Sequence, residues 1–314
     1  MVPVPLVQSN RNLARLPDIF CDQTYKMSSD SFFIPGNCEG PAYRNVRDLP
    51  HREEARNFTE SLWRRYQGYE DAHFLREAMD HFLERFWEMY LAVTFLERGF
   101  PLSRAGNAGP EFRFTSGDQR IWVEAVAPGP GIGDDSVPEM QMGVVSNVPT
   151  EKILLPYANV LKVKRERYLA ALTIGVVNEL DCYVLAINSR RIRHAPYGNT
   201  LPFFVQALLP FGNLTVLIDP KTGDFSDPFY QLREEVIKAN GSPVSTTGFL
   251  DRQFAFVSAV LHSTVDGVNC PPKLGGDFTI LHNPSASHSL DRSVFAWCEQ
   301  LIYRDGALRK VHSG

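Results

Sequence analysis

The apolar residues between positions 52 and 98 recur at the spacing of an α-helix. Phe74, Phe82 and Phe86 are separated by multiples of four residues, so in a helix they would lie on one face. Gly68 falls inside the same stretch, and glycine weakens the interior of a helix. The pattern predicts a helical region over residues 52–98 that is broken near Gly68.

Two short β-rich runs follow this region. They cover residues 112–115 and residues 120–127, and the turn sequence Ser116-Gly-Asp-Gln separates them. Two such runs around a short turn that contains glycine are typical of a β-hairpin. Residues 128–150 contain four Gly and four Pro, which predicts a long loop after the hairpin.

A second helix and a buried strand are predicted next. The helix covers residues 151–172, with Thr150 as its N-cap and with Pro156 delaying its regular start by a turn. The uninterrupted apolar run at residues 182–188 indicates a buried strand. A helix between a hairpin and a buried strand predicts a crossover within a mixed sheet.

The rest of the chain divides into an arm and one domain. Residues 1–50 show no period and are rich in Pro, Asn, Asp and Ser, so we expect an irregular N-terminal arm on the surface. Residues 51–314 are expected to form a single α/β domain with an N-terminal helical extension. Its further predicted elements are strands at residues 214–218, 254–261 and 278–281, and helices at residues 229–239 and 293–302.

The composition is that of an ordinary globular protein, with 44% hydrophobic and 22% charged residues in a chain of 314. No apolar run approaches the ~18 residues of a membrane helix, and no signal-like segment stands at the start. We therefore expect a cytoplasmic protein without membrane contact. The net charge of -4 argues against non-specific coating of nucleic acid but allows a local basic groove.

Residue spacing disfavours several common kinds of site. The five cysteines include no C-x-x-C pair and the eight histidines include no H-E-x-x-H motif, so neither zinc nor disulfides are indicated. The glycine-rich residues 129–133 match neither the Walker loop nor the dinucleotide fingerprint, so no nucleotide site is predicted there.

The candidate chemistry lies in the predicted hairpin. Glu111 begins one strand and Glu124 lies in the other, within the apolar residues 121–127. A carboxylate in such a strand is costly unless it is paired or bound to a cation. Oxygen ligands from adjacent strands suit Mg²⁺, so the two acids are predicted to bind a metal. The alternative is an edge-strand glutamate, or one paired with Arg113 or Arg120.

A third acid lies on the preceding helix. Glu88 shares its helical face with Leu91 and Phe95, so an acid on this apolar stripe is a candidate outer ligand of the metal. The alternative is a solvated glutamate beside Arg85.

These acids carry a resemblance to a known family. Glu88, Pro110-Glu111 and Glu124-x-Val126 resemble the PD-(D/E)XK nuclease superfamily, and stretches between residues 80 and 300 are similar to a group of uncharacterised bacterial proteins. The resemblance implies a restriction-endonuclease-like fold, in which helices flank a mixed central sheet. It also implies a Mg²⁺-dependent (or Mn²⁺-dependent) hydrolase that acts as an endonuclease on nucleic acid, with DNA as the first expectation.

The sequence departs from the family pattern at two positions. Glu111 stands where aspartate is usual, and Val126 stands where the family has a lysine. Members of the superfamily can carry this lysine on a neighbouring helix, which implies Lys164 as the first candidate and Lys152 as the second. Its role would be to steady the attacking hydroxide or the scissile phosphate. The alternative for each lysine is a solvated position on the helix.

Basic residues near the predicted strands are candidates for contact with substrate phosphates. They are Arg113 and Arg120 on the hairpin, and Arg190, Arg191 and Arg193 after the strand at residues 182–188. Ligand crevices form beyond the carboxyl ends of strands in α/β sheets. The alternative for the second group is a solvated loop.

Two other functions follow from the same residues. A catalytically degenerate nuclease fold could act as a nucleic-acid-binding or assembly module, which Val126 and the acidic net charge both favour. Paired carboxylates also occur in glycosidases, but two acids on one small hairpin are poorly placed to flank a sugar bond.

Overall fold

The described part of the chain is built around one large β-sheet. The computed structural model describes residues 30–104, 106, 109–141, 143–145, 147–195 and 201–311. Seven strands form a mixed central sheet, and buried side chains from helices pack on both of its faces. The predicted α/β class, with helices flanking a mixed sheet, is confirmed.

Helices predominate at the start of the described chain and strands at its end. The helices are α1 Pro41–Asp48, α2 Glu53–Tyr66, α3 Phe74–Ala78, α4 Phe82–Glu97, α5 Thr150–Thr173 and α6 Phe203–Gln206. The strands are β1 Phe112–Ser116, β2 Gln119–Val126, β3 Cys182–Asn188, β4 Phe211–Thr215, β5 Phe229–Leu232, β6 Glu235–Ile237, β7 Pro243–Ser245, β8 Ala259–Ser263, β9 Thr279–His282, β10 Glu299–Arg304 and β11 Ala307–Val311.

The central sheet has the strand order β1-β2-β3-β8-β9-β10-β11. Strands β2, β3 and β8 are parallel, and β1 is antiparallel to β2. The carboxyl ends of the three parallel strands, at Val126, Asn188 and Ser263, therefore lie at the same edge of the sheet. This edge is where crevices form in α/β sheets.

One face of the sheet is covered by α4, which follows the predicted break near Gly68. The helix is buried almost all round from Phe86 to Phe95. Trp87 Nε1 donates to the carbonyl oxygen of Ala186 in β3 at 2.9 Å. This bond satisfies the indole N–H inside the core, as a buried tryptophan requires. The long predicted helical region is thus confirmed as α2 and α4 with α3 between them.

The other face is covered by α5, which differs in detail from its prediction. The helix begins at Thr150, whose side chain makes no cap, and Pro149 takes the N-cap position. Pro156 lies inside the helix and does not delay its start. Ile153 and Leu154 are fully buried, and their packing outweighs the one backbone hydrogen bond that a proline removes.

The C-terminal third contains less helix than its sequence pattern predicts. The predicted helix at residues 229–239 is instead the two strands β5 and β6, and that at residues 293–302 is a short 3₁₀ turn followed by β10. Pairing of β10 with β9 and β11 decides its conformation, because tertiary pairing overrides weak local propensity. The strand predicted to begin at residue 254 begins at Ala259, after the 3₁₀ turn Arg252–Phe254.

The N-terminal arm is more ordered than predicted where it is described. Residues 1–29 lie outside the described ranges, but residues 41–48 form α1. Phe32 and Tyr43 are fully buried in the core, and Glu60 accepts hydrogen bonds from the backbone of Phe32 and Phe33 at 2.9 and 3.1 Å. No helix among the described residues combines the length and the apolar character needed to cross a bilayer.

Candidate functional site

The hairpin register brings the two predicted acids side by side. Phe112 of β1 pairs with Val123 of β2 in an antiparallel register, so the register continued by one residue places Glu111 opposite Glu124. Directly opposed residues share one face of a sheet. The backbone N–H of Ala125 donates to Glu111 Oε2 at 2.7 Å. The two acids therefore lie on the same face of the hairpin, near the carboxyl end of β2.

Glu124 is buried and its carboxylate is fully engaged. Lys164 Nζ donates to Glu124 Oε1, and the Tyr183 hydroxyl donates to Oε2 at 3.2 Å. Arg167 Nη1 lies 3.6 Å from Oε1. Only 3% of Glu124 is exposed, and an unpaired charge at such a position would be costly. The apolar strand tolerates Glu124 because the ammonium of Lys164 and the hydroxyl of Tyr183 bind its carboxylate.

The helical period of α5 explains why Lys164 reaches the sheet. Val160, Leu161 and Tyr168 are buried four residues before, three before and four after Lys164, so all four share the buried stripe of the helix. Lys164 is 7% exposed. Its aliphatic stem packs within this stripe while the ammonium ends on the carboxylate of Glu124.

Burial and the neighbouring Glu124 favour the protonated form of Glu111. Burial and, after it, the negative charge of Glu124 raise the pKa of Glu111 to about 8, while Lys164 opposes the shift. Burial and the same carboxylate raise the pKa of Tyr183 as well. Repulsion between two close carboxylates is relieved by a proton or by a cation.

Glu88 is tied into a separate cluster and makes no contact with the acidic pair among the described bonds. The Tyr66 hydroxyl donates to Glu88 Oε1 at 2.6 Å, and Arg85 Nη1 donates to Oε2 at 2.7 Å. Arg104 Nη1 lies 3.1 Å from Oε1. The charge of Glu88 still contributes to the raised pKa of Glu111. In the described ranges, no three His, Cys, Asp or Glu side chains are grouped to hold a metal.

A groove of about 860 Å³ lies between α5 and the loop that follows β2. Val126 and Lys164 both line it, so it runs past the ion pair that Lys164 makes with Glu124. Its charged lining residues are Lys162, Lys164, Arg191, Lys238 and Asp135. Two of these cations are already paired, Lys164 with Glu124 and Arg191 with Glu84. Lys162 and Lys238 against Asp135 leave the groove a small positive balance inside a protein of net charge -4, which suits an anionic ligand.

A second cleft of about 530 Å³ contains the predicted arginine cluster after β3. Arg190, Arg191 and Arg193 line it, and Arg191 also lines the first groove. Each arginine has an acidic partner, since Arg190 pairs with Asp266, Arg191 with Glu84 and Arg193 with Glu139. The loop is therefore held by ion pairs at the carboxyl edge of the sheet.

The hairpin arginines lie apart from the groove. Arg113 stacks over the ring of Trp122 at 5.3 Å, and its Nε donates to Ser103 Oγ at 3.2 Å. Arg120 is next to the hairpin turn and pairs with Asp181 at 3.6 Å. It is four residues from Glu124, or roughly 13 Å along the strand.

Lys152 is also far from the acidic pair. It lies twelve residues before Lys164 on α5, which is roughly 18 Å along the helix axis. The first of the two predicted lysines is therefore the one that contacts Glu124.

Two polar groups that the fold brings together carry almost no signal in the sequence. Tyr183 holds Glu124, and its only signal was a phenol within an otherwise apolar strand. Ser189 Oγ lies 2.9 Å from His262 Nε2; Ser189 directly follows β3 and His262 lies in β8, which is distant in the chain. Their adjacency depends on the strand order β3-β8, which no local pattern predicts.

Comparison with known proteins adds no relative. No protein-family model, no curated protein and no solved structure matches this chain. Its function is therefore inferred from the acidic pair, Lys164 and the groove beside them.

Proposed function

We propose that this protein is a metal-dependent phosphodiester hydrolase with a restriction-endonuclease-like fold. Its substrate is nucleic acid, and DNA is the first candidate. One observation carries the proposal: Glu111 and Glu124 are opposed on one hairpin face, and the ammonium of Lys164 is bonded to Glu124 beside a basic groove. Two acids that would hold a metal, with a lysine beside a groove that carries unpaired lysines, suit metal-assisted phosphodiester hydrolysis.

The donor set fits a hard divalent cation. Glu111 and Glu124 would hold Mg²⁺ or Mn²⁺ through their carboxylate oxygens, and the ion would replace the ammonium of Lys164 on Glu124. Burial and, after it, the charge of Glu124 raise the pKa of Glu111, and a bound cation would favour the ionised carboxylate. Magnesium is commonly bound by one or two carboxylates while water and substrate phosphate complete its shell. When bound, the ion supplies a Lewis acid for the phosphodiester.

Lys164 is the residue we assign to charge stabilisation. Its ammonium lies at the groove wall, where it can donate to a phosphate oxygen or steady the attacking hydroxide. Lys164 thus replaces the lysine that the superfamily pattern has at the position of Val126. Glu88 supports the site indirectly, because its carboxylate already pairs with Arg85 and Arg104.

The charge of the groove supports a polyanionic substrate. Lys162 is exposed and Lys238 is half-buried, and both line the groove together with Arg191. Phosphate contacts from lysine and arginine supply sequence-independent affinity and depend strongly on salt. The hypothesis that Arg113 and Arg120 also meet the substrate has no such support, since both lie elsewhere on the hairpin.

A catalytically degenerate fold that binds nucleic acid is the second candidate. One observation favours it: the ammonium of Lys164 already neutralises the buried Glu124. A protein that keeps this ion pair in its working state would bind phosphates in the groove without holding a metal. The same chain then serves as a binding or assembly module.

Calorimetric titration with Mn²⁺, together with cleavage of single- and double-stranded DNA and RNA, tests the proposal. The wild-type chain should bind Mn²⁺ and cleave at least one substrate, and Glu111→Gln should lose both properties while it remains folded. The matched control is Glu166→Gln, because Glu166 is an exposed acid on α5. DNA binding without metal uptake favours the second candidate, and Mn²⁺ binding unchanged in Glu111→Gln rejects the assigned site.

A further inference from the structure

The cleft of about 530 Å³ lies at the carboxyl edge of the central sheet. We call it the arginine cleft. Part of its lining comes from the loops that follow three parallel strands, with Pro130 after β2, Arg190, Arg191 and Arg193 after β3, and Asp266 after β8. Crevices beyond the carboxyl ends of parallel strands are the usual ligand sites of α/β sheets.

The arginine cleft adjoins the groove that runs past the acidic pair. Pro130 and Arg191 line both concavities. Arg191 is fixed at this junction, because it pairs with Glu84 and its Nη1 donates to the carbonyl oxygen of Ala127 at 3.1 Å. The two concavities therefore form one track along the carboxyl edge of the sheet, and we call them together the track.

Weakly held cations lie in both parts of the track. In the arginine cleft, Arg52 makes no ion pair with any described residue. Arg193 is 61% exposed and pairs with Glu139, itself 80% exposed, at 3.5 Å, and an ion pair this exposed is weak. In the groove, Lys162 and Lys238 have no acidic partner within the described ranges. Each part of the track thus offers two cations to an incoming phosphate.

Apolar side chains share the groove with these cations. Ile132 is 91% exposed and Val163 is 42% exposed, and both line the groove. The outer surface of a duplex presents sugars and phosphates, whereas a single strand also presents unstacked bases with apolar faces. A groove that carries both kinds of side chain therefore suits a single strand.

The concave shape of the track favours the same form of nucleic acid. Proteins read duplex DNA by placing a helix or a two-stranded ribbon into its major groove, which is about 12 Å wide. The cations of the track instead line concavities of about 530 and 860 Å³, within the range of small-ligand pockets. Phosphates must enter these concavities to reach the cations, and a flexible single strand enters more readily than a paired one.

We infer that the track binds one single strand of nucleic acid. Its phosphates contact Arg52 and Arg193 in the arginine cleft, and Lys162 and Lys238 in the groove. The inference rests on the proposed function for nucleic acid as the ligand, and it names the form of that substrate. The part of the strand that lies in the groove is the part presented to the acidic pair.

Fluorescence anisotropy with a labelled oligonucleotide of about twelve nucleotides, as DNA and as RNA, tests this inference. The assay contains EDTA, so binding is measured without metal and without cleavage. In at least one of the two chemistries, the wild-type chain should bind the single strand at least about tenfold more tightly than the duplex of the same sequence. The stoichiometry should be one strand per chain.

Variants in the two parts of the track test whether one strand occupies both. Arg52→Gln/Arg193→Gln and Lys162→Gln/Lys238→Gln should each weaken binding of the single strand. Each should also reduce the slope of log K against log salt by about 1.4, because each phosphate contact of a single strand contributes about 0.7.

The matched control is Arg64→Gln/Arg252→Gln, which removes the same charge. Both arginines are exposed and line neither concavity, so affinity and salt slope should equal those of the wild type.

Three results would overturn the inference: no binding of either single strand, equal or tighter binding of the duplex, or a salt slope that Arg52→Gln/Arg193→Gln leaves unchanged. The hydrolase proposal stands or falls separately. Cleavage in Mn²⁺ together with any of these results keeps the hydrolase and rejects the track. Single-strand binding in EDTA with the expected slopes, but with no cleavage in Mn²⁺, keeps the track and rejects the hydrolase.

Discussion

Lys164 Nζ of α5 donates to Glu124 Oε1 of β2, and the two residues are forty positions apart in the chain. This bond joins the helix on one face of the sheet to the strand that carries the candidate metal ligand. The bond also places a cation beside β2, where the side chain of Val126 carries no charge.

Removing the cation from this pair should destabilise the fold. In Lys164→Met the carboxylate of Glu124 stays buried without its main partner, and breaking a buried ion pair in this way costs about 3–5 kcal/mol. The measurement is the free energy of unfolding in urea. Lys162→Met is the control, since Lys162 is exposed two residues away, and it should change stability by less than about 0.5 kcal/mol. Glu124→Gln combined with Lys164→Met should recover part of the loss, and additive single effects would contradict the coupling.

Divalent cation should stabilise the wild-type chain through the acidic pair. A ligand that binds only the folded state at one hundred times its Kd adds about 2.7 kcal/mol of stability. We therefore expect Mn²⁺ to raise the Tm of the wild type and of Glu166→Gln by several degrees, and to leave that of Glu111→Gln unchanged. An equal shift in all three proteins would place the cation elsewhere.

Loss of the Glu88 carboxylate should cost stability even if Glu88 never meets a metal. Glu88→Gln leaves the guanidiniums of Arg85 and Arg104 without their shared buried partner, for an expected loss of about 2–4 kcal/mol. Glu97→Gln is the control, because Glu97 and its partner Arg65 are each about 40% exposed, and exposed pairs contribute at most about 1 kcal/mol. Equal losses measured by chemical denaturation would contradict the prediction.

Stability should fall in mild acid because of His262. Burial lowers the pKa of His262 to about 3 from its ordinary value near 6.5. Between these two values the unfolded chain binds a proton that the folded chain does not, so lowering the pH favours unfolding by up to about 1.4 kcal/mol per pH unit. His262→Gln should show a flatter dependence in urea denaturation between about pH 7 and about pH 5.

The difference between the wild type and His262→Gln isolates this one group. Asp277 and Glu111 have raised pKa values, and their contribution to stability has the opposite sign, since it is lost as the pH rises. Both acids are present in the two proteins, so their effects cancel in the comparison. Parallel pH profiles for the two proteins would show that His262 does not carry this dependence.

Much of the sheet and the helices α2, α4 and α5 could be predicted because their signals are local. The turn between β1 and β2, the apolar run of β3 and the period of α5 each lie within a short window of sequence. The same is true of Glu124, since a carboxylate among apolar strand residues requires a partner. Helical period also separates Lys164 from its neighbour Lys162, because only one of them shares the buried stripe.

Other features could not be predicted because their causes are distant in the chain. The sequence pattern favoured helix at residues 229–239, where pairing produces β5 and β6, and at residues 293–302, where β10 pairs with β9. Arg113 and Arg120 are near Glu124 in sequence, but they do not line the groove. Arg120 lies next to the hairpin turn, roughly 13 Å along the strand from Glu124. Tyr183 joined the site only through the parallel register of β2 and β3.

By itself the sequence determined which residues would be buried within each local element and that a charged group among them would need a partner. It did so because side-chain period and the cost of burying charge act within a few residues of chain. Only the tertiary structure decided that Lys164 is that partner, that Glu88 belongs to Arg85 and Arg104, and that Arg191 lines both concavities of the track. These outcomes depend on which strands and helices are neighbours, and that choice is made by packing the whole core at once.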